Sequence, residues 1–72
     1  MDINRVRIKV LVEIDTNESD SPHYTYSLEY KSNDGLWFFL TIHYTLLGMY
    51  RTVQARGLDW NRLPIKTVLI TY

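Results

Sequence analysis

The sequence predicts a small α+β protein, a single domain over residues 1–72 in which a three-stranded sheet carries one helix on one face. Three observations support this class. Two segments near the amino terminus alternate apolar and polar residues with the period of a strand. A third segment of strand type lies at the carboxyl end. Between them, residues 36–56 repeat apolar side chains at steps of three and four, which is typical of an α-helix.

The first two strands follow from strict alternation. The first has one apolar face, made of Val6, Ile8, Val10, Val12 and Ile14. The second, residues 24–31, places Tyr24, Tyr26, Leu28 and Tyr30 on one face. Residues 15–22 between them are polar and rich in turn formers, so the two strands are expected to pair antiparallel as a hairpin with a long loop.

The last strand is predicted over residues 65–72. Pro64 suits the position before a strand because its φ is fixed and it has no N–H to donate. Val68 and Ile70 are expected to point into the core. A right-handed crossover through the helix brings this strand back parallel to the second and beside the first. The predicted layout is ββαβ, with a mainly antiparallel sheet in the order 2-1-3.

The start of the helix has two interpretations. Ser32 or Asn33 can cap a helix, and Gly57 is well placed for a left-handed cap after Arg56. The favoured helix carries an unbroken apolar stripe, made of Phe39, Ile42, Leu46, Met49 and Val53. Alternatively, residues 32–35 form a hairpin turn and residues 36–45, which are rich in aromatic residues and Thr, form a third strand. The layout is then βββαβ, with a helix over residues 46–56.

On the long helix a second apolar stripe lies about half a turn from the first and holds Trp37, Leu40, Tyr44 and Leu47. One stripe covers the sheet, and the other has no obvious partner within the chain. Exposed apolar surface of this kind usually marks an interaction site. Trp, Tyr and Arg dominate binding hot spots. The predicted partner-binding set is therefore Trp37, Leu40, Tyr44, Leu47 and Arg51.

Charge is balanced overall but unevenly distributed. Lys and Arg number 8, as do Asp and Glu, so no net field favours nucleic acid or an anionic membrane. An acidic loop, made of Glu13, Asp15, Glu18 and Asp20, is a secondary candidate site for steering a basic partner. The tyrosines of the second strand are expected on the face opposite Arg7 and Lys9, which argues against a stacking platform for nucleic acid.

No motif for chemistry is present. The chain has no Cys, and His23 and His43 lie far apart in sequence. Residues 15–26 begin like a calcium loop, but Asp20 and Tyr26 stand where Gly and a bidentate Glu are needed. A non-enzymatic protein without cofactor or metal is expected. The longest uncharged run, residues 35–50, is shorter than the ~20 residues of a spanning helix, and no secretion signal is visible. A cytoplasmic protein without membrane contact is expected.

In size and in layout over residues 6–70, the chain resembles the very small phage-encoded proteins that inhibit host machinery, anti-CRISPR proteins among them. No diagnostic motif accompanies this resemblance. It implies a non-catalytic inhibitor in the cytoplasm of a bacterial host, which occupies a protein surface of a larger effector complex. Two alternatives stay open: a structural domain that completes its core by forming a homodimer, and a module that binds single-stranded nucleic acid.

Overall fold

The computed structural model describes residues 2–15 and 21–72, which fold into a four-stranded mixed sheet with one α-helix on one side. The strands are β1 (Val6–Ile14), β2 (His23–Lys31), β3 (Trp37–His43) and β4 (Ile65–Thr71), and the helix α1 (Leu46–Ala55) lies between β3 and β4. Short 3₁₀ turns occur at Ile3–Arg5 and Trp60–Arg62. The predicted α+β class with a single helix is confirmed, but the predicted strand number is wrong.

Residues 37–43 form a strand, so the favoured long helix is wrong and the alternative βββαβ layout is right. The turn before this strand is closed by Gly35, whose N–H donates to the carbonyl of Ser32 at 3.0 Å. Gly35 has φ +83°, a left-handed conformation that glycine adopts at little cost. The aromatic and β-branched residues that follow pair along β2, where their strand preference is satisfied.

The helix begins later than in the favoured prediction and ends at the predicted position. Its N-cap is Thr45, whose Oγ1 accepts a hydrogen bond from the N–H of Gly48 at 3.1 Å, and not Ser32 or Asn33. At the other end Gly57 has φ +69° and donates to Gln54, while Leu58 donates to Val53. These two bonds form a Schellman motif with glycine at C′. The predicted left-handed cap at Gly57 is therefore confirmed.

The strand order is β3-β2-β1-β4, with β1 antiparallel to β2 and parallel to β4. The prediction that the last strand lies beside the first is confirmed, but its predicted direction is wrong. β3, which the favoured ββαβ layout lacks, adds one reversal of the chain before the helix. The crossover through α1 therefore returns β4 parallel to β3, and hence to β1.

The core lies between α1 and one end of the sheet. It consists of Val6, Ile8, Leu28, Met49, Val53 and Leu63. Met49 and Val53 are fully buried, as the first predicted stripe required, whereas Phe39, Ile42 and Leu46 of that stripe are exposed. Val68 and Ile70 pair with Leu11 and Glu13, so they lie on the side of the sheet away from α1, which we call the open face. Their predicted inward orientation is wrong.

An irregularity in β3 decides which side chains reach the open face. Thr41 pairs with Leu28 and Phe39 pairs with Glu29, which leaves Leu40 as an extra residue in a β-bulge. On either side of the bulge, Phe39 and Ile42 both lie on the open face, because Ile42 pairs with Ser27. Phe38, Thr41 and His43 lie on the helix side.

Candidate functional site

Large exposed apolar side chains are most numerous in residues 36–50, which span β3 and the start of α1. Among the described residues thirteen large hydrophobic side chains are exposed, and nine of them fall in this region. We call it the β3–α1 surface; it comprises Leu36, Phe38, Phe39, Leu40, Ile42, Tyr44, Leu46, Leu47 and Tyr50. Natural edge strands are usually protected by charges, proline or a β-bulge. β3 has a bulge at Leu40, but the run from Gly35 to Tyr50 contains no charged residue and no proline.

A preformed groove lies at the helical end of the β3–α1 surface. Leu46, Leu47 and Tyr50 of α1 line it together with Trp60, and this open groove has a volume of about 460 Å³. The rings of Tyr50 and Trp60 meet edge to face, with centroids 5.5 Å apart. The hydroxyl of Tyr50 also accepts a hydrogen bond from Gln54 Nε2 at 3.0 Å. These contacts hold the aromatic walls of the groove in place without a ligand.

The predicted partner-binding residues do not form one stripe, because the long helix on which they were placed does not exist. Leu40, Tyr44 and Leu47 belong to the β3–α1 surface, with Tyr44 as much as 77% exposed. Arg51 lies on α1 one turn after Leu47 and is exposed. Trp37 lies apart from them on the open face of the sheet.

Trp37 belongs to a charged cluster on the open face. The guanidinium carbon of Arg7 lies 3.9 Å from the centroid of the Trp37 ring, and Arg7 Nε donates to Glu29 Oε1 at 2.7 Å. Lys31 Nζ approaches the same ring at 5.9 Å. Among the described residues Glu29 is the only charged side chain that is buried. The tryptophan is thus already engaged within the chain and is a poor candidate for an outward anchor.

Sequence reasoning missed Phe39 and Trp60 as surface residues. Phe39 was placed in the core stripe of the long helix, yet it is 66% exposed. Trp60 falls in the connector between α1 and β4, where no periodicity identifies it. The one sequence signal for Trp60 is that it follows Gly57, which ends the helix. The chain reverses direction there and can bring Trp60 back against α1.

The predicted acidic loop lies only in part within the described residues. Glu13 lies on the open face near the end of β1, and its Oε2 accepts a hydrogen bond from the Tyr72 hydroxyl at 2.8 Å. This bond and the Glu13 charge raise the pKa of Tyr72 above its ordinary value. Asp15 follows β1 directly. Glu18 and Asp20 lie outside the described residues.

The described residues show no cluster of three or more His, Asp or Glu side chains suited to holding a metal ion. His43 makes a hydrogen bond between its Nε2 and Thr52 Oγ1, 2.8 Å apart, which ties β3 to α1. No helix in the described part of the chain is long and apolar enough to cross a membrane.

Comparison with known proteins found no family model that matches the chain and no significantly similar curated protein or solved structure. What the chain binds must therefore be argued from its own surface.

Proposed function

We propose that this chain is a non-catalytic protein-binding domain that inhibits a larger host complex by covering one of its surfaces. The observation that carries the proposal is the distribution of large apolar side chains. Six hydrophobic residues are buried in the core, whereas thirteen large ones are exposed among the described residues. Monomeric proteins rarely expose large apolar patches to water, and such patches usually mark interaction sites.

The chemistry of the β3–α1 surface indicates the kind of partner. Its side chains are apolar or aromatic over the uncharged run from Gly35 to Tyr50. The first charged residues on either side are Asp34 before the run and Arg51 after it. Lys31, at the end of β2, lies three residues before Asp34. A partner with an apolar protein surface fits the centre of the β3–α1 surface, because charged residues are depleted at the cores of interfaces. The free backbone edge of β3 also offers hydrogen bonds to an added strand.

Photo-crosslinking in cells tests the location of the site. A photoreactive phenylalanine analogue replaces Phe39 or Tyr44 within the surface, and Arg56 or Asn61 at exposed positions outside it. We expect the first two positions to link covalently to the same host protein and the two control positions not to link. Equal crosslinking from all four positions would show that this surface is not the binding site.

Affinity for the purified crosslinked partner then tests the energetics. Phe39→Ser combined with Tyr44→Ser is expected to weaken binding about 100-fold or more, since truncating two anchors at an interface centre costs upwards of about 3 kcal/mol. Tyr24→Ser, which removes an exposed aromatic ring of β2, is the matched control. The double variant should also relieve inhibition of the host complex. Binding without any effect on the complex's activity would reject the inhibitory part of the proposal.

A second candidate function is favoured by one further observation on the open face. The prediction that tyrosines and cations lie on opposite faces is right for Tyr24 and Tyr26, which pair with Val12 and Val10. However, β3 brings Phe39 onto the face of Lys9 and Lys66. Aromatic rings beside cations can stack single-stranded bases and hold phosphates.

Anisotropy of a labelled oligothymidine or oligouridine at low salt tests this second function. Binding that weakens with salt and with Lys9→Glu would support it, because phosphate contacts release counterions. Absence of binding at high micromolar protein would remove it. Lys9→Glu leaves the β3–α1 surface intact, so the two candidate functions are separated by this variant.

A further inference from the structure

The free edge of β4 differs from the usual edges of natural sheets. β4 is the last strand of the sheet and pairs only with β1 among the described residues. Its register with β1 runs without a bulge from Ile65 to Thr71, and Lys66 is its one charged residue. Pro64 precedes the strand and leaves its edge open. Bulges, charges and prolines are the devices that usually prevent edge-to-edge pairing.

The hydrogen-bonding groups of β4 are arranged for a further strand. The N–H of Tyr72 donates to the carbonyl of Ile14, and the carbonyl of Pro64 accepts from Ile8, so even-numbered residues face β1. Backbone groups alternate in direction along a strand. The N–H and C=O groups of the odd-numbered residues therefore point away from the sheet, which concerns Ile65, Thr67, Leu69 and Thr71.

We propose that β4 is a self-association edge, through which two copies of this chain pair antiparallel about a twofold axis at Val68. In this register Ile65 lies opposite the partner's Thr71 and Thr67 lies opposite the partner's Leu69, so the outward groups of both edges are satisfied. Both α1 helices lie on the same side of the joint sheet. Val68 meets its own counterpart in a closely spaced, non-hydrogen-bonded pair.

Charge complementarity selects a second copy as the occupant. On the open face Lys9 and Lys66 lie side by side near the start of β1 and β4, whereas Glu13 lies beside Ile70 near their ends. An antiparallel twofold contact sets Lys66 opposite the partner's Ile70, next to the partner's Glu13. Each copy thus presents a basic half to the acidic half of the other.

The apolar side chains of the edge support the same pairing. Ile65 and Leu69 are 56% and 63% exposed on the helix side, and Val68 is half-buried on the open face beside Leu11. In the proposed dimer Val68 and Leu11 of both copies form one apolar row across the twofold axis. The inference is independent of the proposed function, because β3 lies at the opposite edge of the sheet. The dimer would present the β3–α1 surface twice, at its two far ends.

Introduced cysteines test the register. The chain contains no Cys, so a single substitution gives one thiol per copy. Val68→Cys is expected to form a disulfide-linked dimer rapidly in air, because Cα atoms of a non-hydrogen-bonded pair lie about 4.5 Å apart. Lys66→Cys, two residues away on the same face, is the matched control and should link slowly. Equal rates for the two variants would overturn the proposed register.

Sedimentation equilibrium tests the association itself. The chain is expected to sediment at twice its 8.6 kDa mass in the micromolar range. Lys66→Glu and Glu13→Lys should each weaken dimerisation about tenfold, and the double charge exchange should restore it, since it exchanges the two signs. Thr67→Pro, which removes an outward N–H, should give a monomer, whereas Thr67→Val should not. A wild-type monomer at millimolar concentration would overturn the proposal, as would a double exchange no tighter than either single variant.

Discussion

Arg7 and Glu29 lie directly opposite each other on β1 and β2, and Arg7 Nε donates to Glu29 Oε1 at 2.7 Å while its guanidinium covers the Trp37 ring. Three strands are thereby linked on a face that carries no helix. The carboxylate is nearly buried and the guanidinium is partly exposed, at 8% and 20% side-chain accessibility. Solvent therefore screens the charge of the Arg7 guanidinium more than that of the Glu29 carboxylate.

Loss of Arg7 should be more damaging than loss of the whole pair. Arg7→Leu is expected to lower the free energy of unfolding by about 2 kcal/mol, because it leaves the Glu29 charge buried without its partner. Adding Glu29→Leu should recover part of this loss. Urea denaturation of both single variants and the double variant measures the coupling. Additive losses in the double variant would show that the pair does not stabilise the fold as a unit.

Gly48 is expected to resist substitution although it lies within a helix. A Cβ at this position would lie 3.0 Å from Thr45 Oγ1 and 3.2 Å from His43 Nδ1. Alanine should gain about 1 kcal/mol of helix propensity. Displacing the Thr45 cap and the His43–Thr52 hydrogen bond should cost about 1 kcal/mol each. Gly48→Ala should therefore destabilise the protein by about 1 kcal/mol in urea denaturation.

The same substitution in a His43→Ala background provides the control for this explanation. With the imidazole removed, one of the two close contacts disappears, and the cost of Gly48→Ala should shrink or change sign. If alanine instead stabilises the wild-type protein by the full propensity difference, the close approach of His43 does not constrain position 48.

Thr41→Val is expected to stabilise the protein by about 1 kcal/mol. Thr41 Oγ1 is buried on the helix side and has no hydrogen-bond partner among the described residues, and a buried polar atom without a partner is costly. Valine keeps the β-branched shape that suits a strand. Thermal unfolding measures the effect, with Thr25→Val on the open face as the matched control. A loss of stability would mean that the hydroxyl is satisfied in solution.

Stability should fall at alkaline pH through Tyr72. Its pKa is raised above the ordinary value of 10.0 by the hydrogen bond to Glu13 and by that carboxylate's charge. The neutral phenol is thus favoured in the folded state. Its contribution is fully present below the unfolded pKa and is lost as pH rises through the raised pKa. Melting temperatures of wild type and Tyr72→Phe should differ at neutral pH and converge once the pH exceeds the raised pKa of Tyr72.

Titration of the tyrosines by ultraviolet absorbance offers an independent check. One of the six tyrosines should ionise at higher pH than its ordinary range, and that late step should be missing in Tyr72→Phe. Glu13→Gln should move the step back toward the ordinary range, since it removes the charge of the acceptor. An unchanged titration in Glu13→Gln would show that another group shifts Tyr72.

The sequence predicts several residues of the candidate site but not how they are arranged in space. The sequence predicts Leu40, Tyr44 and Leu47 as partner-binding residues, and all three are exposed, in β3 or near the start of α1. It also predicts Trp37 beside them on a helix that does not form, and Phe39 in the core. The error has one cause: steps of three and four in a run of mostly apolar residues also occur by chance along a strand.

Local patterns in the sequence are sufficient to predict the elements that follow a single period. β1 and β2 alternate strictly, Met49 and Val53 lie four residues apart on the buried side of α1, and Gly57 supplies the positive φ that ends the helix. Each of these signals is local, because it depends only on residues that lie close by in the sequence.

Long-range strand pairing sets the conformation of residues 36–45, the direction of β4 and the orientation of the β3 side chains. Residues 37–43 form a strand because their backbone bonds to β2. The direction of β4 follows from the extra reversal of the chain that β3 introduces. The bulge at Leu40 then turned Ile42 outward beside Ser27, although a regular strand would have put it on the face of Phe38. Pairing between strands is a non-local interaction, so no window of the sequence contains the groups that make it.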